Sequence, residues 1–275
     1  RYILRVYRRG WRTRQEINFE LELLNFLYEQ NIPVAYAIAS NNGDLITTLV
    51  APEGRRDAVV FSYAPGRAAN EMLYIQQGRR LGEVLATLHT VTDDFKSNFS
   101  RPKLSSEYLL DRSMHFITSV FKERVNDIDH LQQQIEEINL KLAGFNLSYS
   151  APDYGICVGD LHLENAHFTD NNQPTLFDFD QCGYGWRAFD IAKFIQVTLW
   201  RKMDEKVIKS FINGYQTIRQ LSIAELASIP VFTKIAHICV IGINCQVAGE
   251  VVPYGHFTDE WFDSKLALLT QLDNL

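Results

Sequence analysis

The run Val158-Gly159-Asp160-Leu161-His162-Leu163-Glu164-Asn165 leads through Ala166-His167-Phe168-Thr169, Asp170-Asn171-Asn172-Gln173 and Pro174-Thr175-Leu176-Phe177 to Asp178-Phe179-Asp180. Apolar and β-branched segments on either side of an Asx-rich tetrad predict strand, turn and strand. A hairpin returns the chain to the end it left. Asp160, Asn165 and Asp178, spaced by five and thirteen positions, are therefore expected to converge. Two carboxylates and a carboxamide make an oxygen-rich site for a hard cation, most naturally Mg²⁺. A carboxylate left off the metal accepts a proton from a hydroxyl. These are the requirements of phosphoryl transfer from a nucleotide, which rests on positioning and charge neutralisation. A single Asp in such a place is commonly a turn cap. Capping does not account for three residues at these spacings around one hairpin.

This segment resembles the catalytic loop of the aminoglycoside phosphotransferase and choline kinase superfamily, His-Gly-Asp-x-His-x-x-Asn followed by Asp-x-Asp. Gly159, Asp160, His162, Asn165, Asp178 and Asp180 match, and Val158 stands where the family has its first His. The resemblance implies an α+β, protein-kinase-like fold of two lobes. It implies ATP and Mg²⁺ as cofactors, Asp160 as catalytic base, and Asn165 and Asp178 as metal ligands. His162 steadies the loop, and Asp180 is either a second metal ligand or a partner of the loop. Gly185 and Asp190 match a further family segment, Gly-x-x-x-x-Asp-Leu-Ala, in which the Asp supports the loop backbone.

The earlier part of the chain reads as a small β-rich lobe. Tyr2 to Tyr7 alternate as a strand, and Thr13-Arg14-Gln15-Glu16 is a capping box that opens a helix. Ile17, Leu21, Leu24 and Tyr28 follow at helical spacing until Asn31 and Pro33 stop it. Val34 to Ala39 reads as a strand, Asn41-Asn42-Gly43 as a hairpin turn, and Leu45 to Val50 as its return. Val59 to Tyr63 is another strand, broken by Ala64-Pro65-Gly66. By resemblance Arg5 stands where kinases keep the phosphate-holding strand lysine. Glu20 is the helix acid that orients it, with Glu22 the competing choice. The Ser62 carbonyl and Ala64 N–H take the adenine edge. The expected division is residues 1–64 for the small lobe, hinged at about 61–64, and 65–275 for a helical lobe with the catalytic loop and substrate pocket. The chain starts at Arg1 and runs at once into a strand, so the phosphate-covering loop is expected upstream.

Helices are predicted over about 105–122, 127–143, 190–200, 205–218, 222–248 with a break at Pro230, and 259–272. Trp186, Trp200, Tyr215, Tyr254 and Trp261 are candidate walls of the substrate pocket. Asp204, Glu205, Glu250, Asp259, Glu260 and Asp263 are candidate attractors of an amine-bearing acceptor.

With 275 residues, 46% of them hydrophobic, the chain can bury a large core. Its net charge of −6, with scattered Lys and Arg, argues against a nucleic-acid partner. Cys157, Cys182, Cys239 and Cys245 show no metal spacing and read as buried thiols of a reducing compartment. The apolar run from Ile238 to Val247 is too short to cross a bilayer, and no secretory signal is visible. A cytoplasmic location with no membrane partner follows as an expectation.

The function implied by the resemblance is transfer of the γ-phosphate of ATP to a hydroxyl of a small molecule, such as an amino alcohol, homoserine or aminoglycoside. A protein serine/threonine kinase of the same fold and a non-catalytic nucleotide-binding regulator are the alternatives. The opening Arg5-Val6-Tyr7-Arg8-Arg9-Gly10-Trp11 and the segment Ile32-Pro33-Val34-Ala35 are most similar to bacterial stress-response kinase and homoserine-kinase-like members.

Overall fold

A computed structural model of the chain describes residues 1–69 and 74–274. The opening elements are β1 (Tyr2–Val6), α1 (Arg14–Glu29), β2 (Ala37–Ile38), β3 (Thr47–Ala51), β4 (Gly54–Ser62), β5 (Arg67–Ala68) and α2 (Ile75–Val91). Next come α3 (Ser106–Val120), α4 (Val125–Gly144), β6 (Tyr154–Cys157), β7 (Ala166–Phe168), β8 (Pro174–Leu176) and β9 (Gly183–Trp186). The chain continues through α5 (Ala188–Trp200), α6 (Glu205–Gln216), α7 (Ile223–Gln246) and α8 (Asp259–Gln271). Backbone contacts group these into two compact units. The first is Arg1–Pro102, Val158–Gly183 and Met203–Gln220; the second is Lys103–Cys157, Tyr184–Lys202 and Leu221–Leu275.

In the first unit β4 is the spine of an antiparallel sheet. β1 lies along one edge, from Tyr2 opposite Ser62 to Val6 opposite Ala58. The other edge takes β2 and then β3. This corrects the expected hairpin. Residues 40–44 do form a turn, with the Ser40 N–H donating to Asp44 O at 2.9 Å. The two segments it joins pair with β4 rather than with each other. The hairpin lies at Pro52-Glu53, where Gly54 takes φ +118° and Ala51 stands opposite it.

The capping box of α1 forms as read. The Thr13 hydroxyl accepts from the Glu16 N–H, and Glu16 accepts from the Thr13 N–H at 2.7 Å. Ile17, Phe19, Leu21, Leu23, Leu24 and Leu27 are then buried along the helix. Asn31, at φ 60°, ends the run.

Also in the first unit, α2 packs on α6 at backbone distance. A Cβ on Gly82 would lie 2.1 Å from the Phe211 carbonyl oxygen, and one on Gly214 would lie 2.1 Å from that of Arg79. Between the helices, Arg219 Nη1 donates to the Tyr215 hydroxyl at 2.6 Å, and that hydroxyl is hydrogen-bonded with His89 Nδ1 at 2.8 Å. Tyr215 and His89 are fully buried, so Tyr215 is core and not a pocket wall.

The second unit is built on α7, against which α3, α4, α5 and α8 pack. β6 pairs with β9. The expected break at Pro230 does not occur. The proline sits inside one continuous helix of 24 residues, which forgoes a single backbone bond there. That helix is long and apolar enough to cross a membrane, but 78% of its most apolar 18-residue stretch is buried by protein. All four cysteines are buried free thiols. Burial pushes Cys239 up to about 11, and Cys182 and Cys245 up to about 12.

His237 of α7 is locked neutral. Its Nε2 faces the Lys265 carbonyl at 2.9 Å and so carries the proton, while Nδ1 accepts from Gln196 Nε2 at 3.1 Å. Burial lowers its pKa to about 4.

Two outcomes follow. The folded state holds His237 neutral while the unfolded chain protonates it near 6.5. Stability is therefore retained above pH 6.5 and lost as pH falls towards 4, by about 3 kcal/mol for this group. Urea denaturation at pH 6.5 and 4.0 will show a smaller loss in His237→Gln. In thermal melts Gly82→Ala will lower stability by at least 1–3 kcal/mol through overpacking. Gly144→Ala, where nothing lies within 4 Å of the new methyl, will be neutral or stabilising.

Candidate active site

Everything described here except Arg124, Asp190, Asp259 and Asp263 lies within the first unit. The hairpin forms as expected, with Ala166 opposite Leu176 and Phe168 opposite Pro174. Its turn closes on Asn172 at φ 59°, and the Thr169 N–H donates to Gln173 O. At the open end the Phe177 N–H donates to Asn165 O at 3.0 Å, which brings Asn165 beside the residue preceding Asp178. The hairpin is tied to the segment before β2 by two further bonds. The Ala35 N–H donates to Leu176 O and the Leu176 N–H to Pro33 O, each at 2.8 Å.

The loop ahead of the hairpin is held from within. Gly159, at φ +81°, passes so close to the backbone of Gln181 that a Cβ would fall 2.1 Å from its carbonyl oxygen. Asn165 Nδ2 donates to Asp160 O at 3.0 Å. The amide is thereby oriented, with Oδ1 as its remaining acceptor. His162 Nδ1 accepts from the Glu164 N–H at 3.2 Å, so the ring proton sits on Nε2, 3.5 Å from Asp160 Oδ2. Val158, the departure from the family pattern, is buried in the core.

Three guanidinium groups, Arg5, Arg12 and Arg101, meet three carboxylates, Glu20, Asp178 and Asp180. Arg5 Nη1 donates to Asp178 Oδ1 at 3.0 Å and to Glu20 Oε1 at 3.4 Å, and its Nη2 lies 3.2 Å from Asp180 Oδ1. Burial opposes the charge on Arg5, but Glu20, Asp178 and Asp180 outweigh it and push its pKa further up. Tyr7 donates its hydroxyl to Glu20 Oε2 at 3.1 Å, and Arg101 Nη1 lies 3.9 Å from the same oxygen. Complete burial pushes the Glu20 carboxyl up to about 7 against the pull of Arg5 and Arg101. Glu22 turns elsewhere and accepts from the Ser97 hydroxyl, so Glu20 is the helix acid that meets Arg5.

Asp180 is the most heavily bonded member. Trp11 Nε1 donates to Oδ2 at 2.7 Å, Arg12 donates to both carboxylate oxygens at 3.2 and 3.1 Å, and Arg12 and Arg101 both donate to its main-chain carbonyl. Burial would raise its pKa, but the charges of Arg12 and Arg5 and the bonds from Arg12 and Trp11 hold it below the usual carboxylate range. Both Asp180 carboxylate oxygens are thus taken by Arg5 of β1 and by Trp11 and Arg12 of the turn after it. Among the described residues no group of three or more His, Cys, Asp or Glu could hold a metal ion. The oxygens left at the hairpin's end are those of Asn165 and the half-exposed Asp178, which takes φ 60°.

A cavity of about 420 Å³ opens beside this cluster. Arg5, Glu20 and Asp178 line its charged side, and Ile3, Leu24, Ala35, Phe61 and Phe177 are among its apolar walls. Ser62, Tyr63 and Ala64 run along one edge. Among the described residues the buried Ala64 N–H has no hydrogen-bond partner, whereas its carbonyl is held by His167 Nδ1 at 2.9 Å. Five of the expected residues, Arg5, Glu20, Ser62, Ala64 and Asp178, thus line one cavity.

Asp190 is buried in the first turn of α5, in the second unit. Of the acidic residues expected to attract an amine, Asp259 and Asp263 are paired with Arg124, and Asp204 caps α6. Sequence reasoning missed Trp11, Arg12, Arg101 and His167. The one available signal was the Arg-Arg-Gly-Trp-Arg run at 8–12, cationic and aromatic in a turn where neither is needed.

Comparison with known proteins bears on the family and the fold. The model of the phosphotransferase enzyme family matches residues 1–225. A Synechocystis protein is 40% identical over 98% of this chain and 74% of its own length. Among solved structures, the microcompartment-associated aminopropanol kinase superposes with a TM-score of 0.79 at 21% identity, over 98% of this chain and 83% of that one. The amicoumacin kinase hAmiN, in complex with AMP-PNP, Ca²⁺ and Ami, gives 0.77 at 23%, over 98% and 80%. The α+β kinase-like architecture is thus shared.

Removing the Asp180 carboxylate leaves buried guanidinium charge uncompensated. Asp180→Ala will lose about 3–5 kcal/mol of stability in urea denaturation. Asp180→Asn, which still accepts hydrogen bonds, will lose less.

Proposed function

Since this chain belongs to the phosphotransferase enzyme family and is a phosphotransferase acting on hydroxyl acceptors, we propose that it uses ATP and Mg²⁺ to phosphorylate a small molecule. The observation that carries this reading is the single cavity lined by Arg5, Glu20, Ser62, Ala64 and Asp178. In it the Ala64 N–H and Ser62 carbonyl take the adenine edge, and the apolar walls take its faces. Residues 1–64 would be the nucleotide-side lobe and 65–275 the helical lobe.

Arg5, paired with Glu20 and set beside Asp178 in the cavity wall, would offer its guanidinium to the phosphates. A guanidinium suits this bidentate task but is broader than an ammonium. Asn165 Oδ1 and the Asp178 carboxylate would hold the metal. Their oxygen donors fit Mg²⁺, which binds through one or two carboxylates and takes its other ligands from phosphates and water. When bound, that ion neutralises charge on the transferring group. Asp160 accepts the proton of the acceptor hydroxyl as its oxygen bonds to the γ-phosphorus, and ADP departs. His162 Nε2–H, aimed at Asp160 Oδ2, orients that carboxylate. Asp190 would support the loop backbone.

A small acceptor of the amino-alcohol, homoserine or aminoglycoside class is supported by the amicoumacin and aminopropanol kinases that the chain resembles. ADP release will be measured with amino alcohols, homoserine, aminoglycosides and generic protein substrates. Turnover of a small hydroxyl compound is expected, and turnover of protein alone would overturn the acceptor class. Asp160→Asn will lose about 10²–10⁴-fold in rate with ATP binding intact. In calorimetry Asp178→Ala will lose the Mg²⁺-dependent part of nucleotide affinity.

A further inference from the structure

We infer that His167 reads the nucleoside: its Nε2 accepts a hydrogen bond from an N–H or O–H donor of the bound nucleoside. The inference rests on the nucleotide reading of the cavity and adds a residue to it. His167 stands in the middle of β7, two positions beyond Asn165, and lines the cavity with Ser62, Tyr63 and Ala64. Its Nδ1 lies 2.9 Å from the Ala64 carbonyl oxygen. A carbonyl only accepts, so Nδ1 carries the ring proton. In the neutral ring Nε2 is then an acceptor and nothing else.

The ring is fixed as well as polarised. It meets Phe177 edge-on at 4.9 Å between centroids and lies tilted against Tyr63 at 5.5 Å. Among the described residues Nε2 has no hydrogen-bond partner, and it is not sealed in the core, since His167 is only half-buried. The result is a rigid acceptor on the wall of an otherwise apolar part of the cavity. A ligand that fills this cavity without offering a donor would strip Nε2 of water and return nothing. A nucleoside has two sources of such a donor, the exocyclic amine of adenine and the ribose hydroxyls. The tether on Nδ1 has a second effect: it ties β7 to the edge segment at Ala64, so acceptor and edge are positioned together.

The roles of the two nitrogens separate by substitution. His167→Asn can still donate to the Ala64 carbonyl through its amide but has no atom at the place of Nε2. His167→Phe keeps a ring and loses both nitrogens. The probes are ATP, 2′-deoxy-ATP, 3′-deoxy-ATP and the triphosphate of purine riboside, which lacks the amine, each with Mg²⁺ in calorimetry. Wild type is expected to bind ATP about 3- to 10-fold more tightly than one of the three analogues, the yield of one net hydrogen bond. In His167→Asn that preference will vanish, through weaker ATP binding with the analogue unchanged. The analogue so singled out names the donor. Equal preferences in wild type and both folded variants, with ATP still bound, would overturn the role of His167 and leave the nucleotide site standing. Failure of wild type to bind any of the four would overturn the nucleotide reading itself. Thermal melts report which variants are folded, and the two variants differ enough that loss of one leaves the other to decide.

Discussion

A carboxylate buried away from water must be matched by charge and hydrogen bonds or it will not stay ionised. Asp180 meets that demand with Trp11, Arg12 and Arg5, and it draws the turn after β1 onto the segment after β8. Two residues earlier in the chain lies Asp178. The position of Asp178 is therefore set from both sides, by the Asp180 anchor behind it and by the hairpin bonded to Pro33 and Ala35 ahead of it. Arg5 then spans Asp178, Asp180 and Glu20 at once, which couples strand, helix and hairpin through one planar group.

The same economy marks the loop before the hairpin. Asn165 spends its amide nitrogen on Asp160 O and so aims its oxygen outward. His162 spends Nδ1 on the Glu164 N–H and so presents a proton towards Asp160. In each case a bond within the loop decides which atom of a two-faced side chain remains for chemistry. Orientation here comes from local bonds, not from the depth of the core.

Features of short range were legible in the sequence. The capping box at Thr13, the Asx turn at 170–173 and the spacing of Asn165 from Asp178 each depend on residues within a few positions or across one hairpin. Glu20 and Glu22 lie about 200° apart around the helix, yet they could be told apart only by a match to a family segment, because α1 buries apolar residues on more than one side. The small-lobe sheet was misread where two turns competed. Asn41-Asn42-Gly43 is the stronger hairpin signal, yet Pro52-Glu53 carries the hairpin, because β4 is long enough to accept β2 and β3 in succession. The partners of Asp180 were out of reach. Trp11 and Arg12 lie nearly 170 residues away and Arg101 lies 79 away, and an arginine in a turn reads as a solvated charge until the fold covers it.

Arg5 carries a last consequence. The residues lining the cavity include, among those described, no lysine. A guanidinium stays protonated throughout the physiological range and is a poor nucleophile, and its acidic neighbours reinforce that state. Reagents that ride into a kinase cleft on a nucleotide and acylate the phosphate-binding amine would meet no amine in this one. A proteome survey that counts kinases by such labelling would pass over this protein even at full occupancy, whereas a dicarbonyl directed at arginine would have a target at the centre of the site.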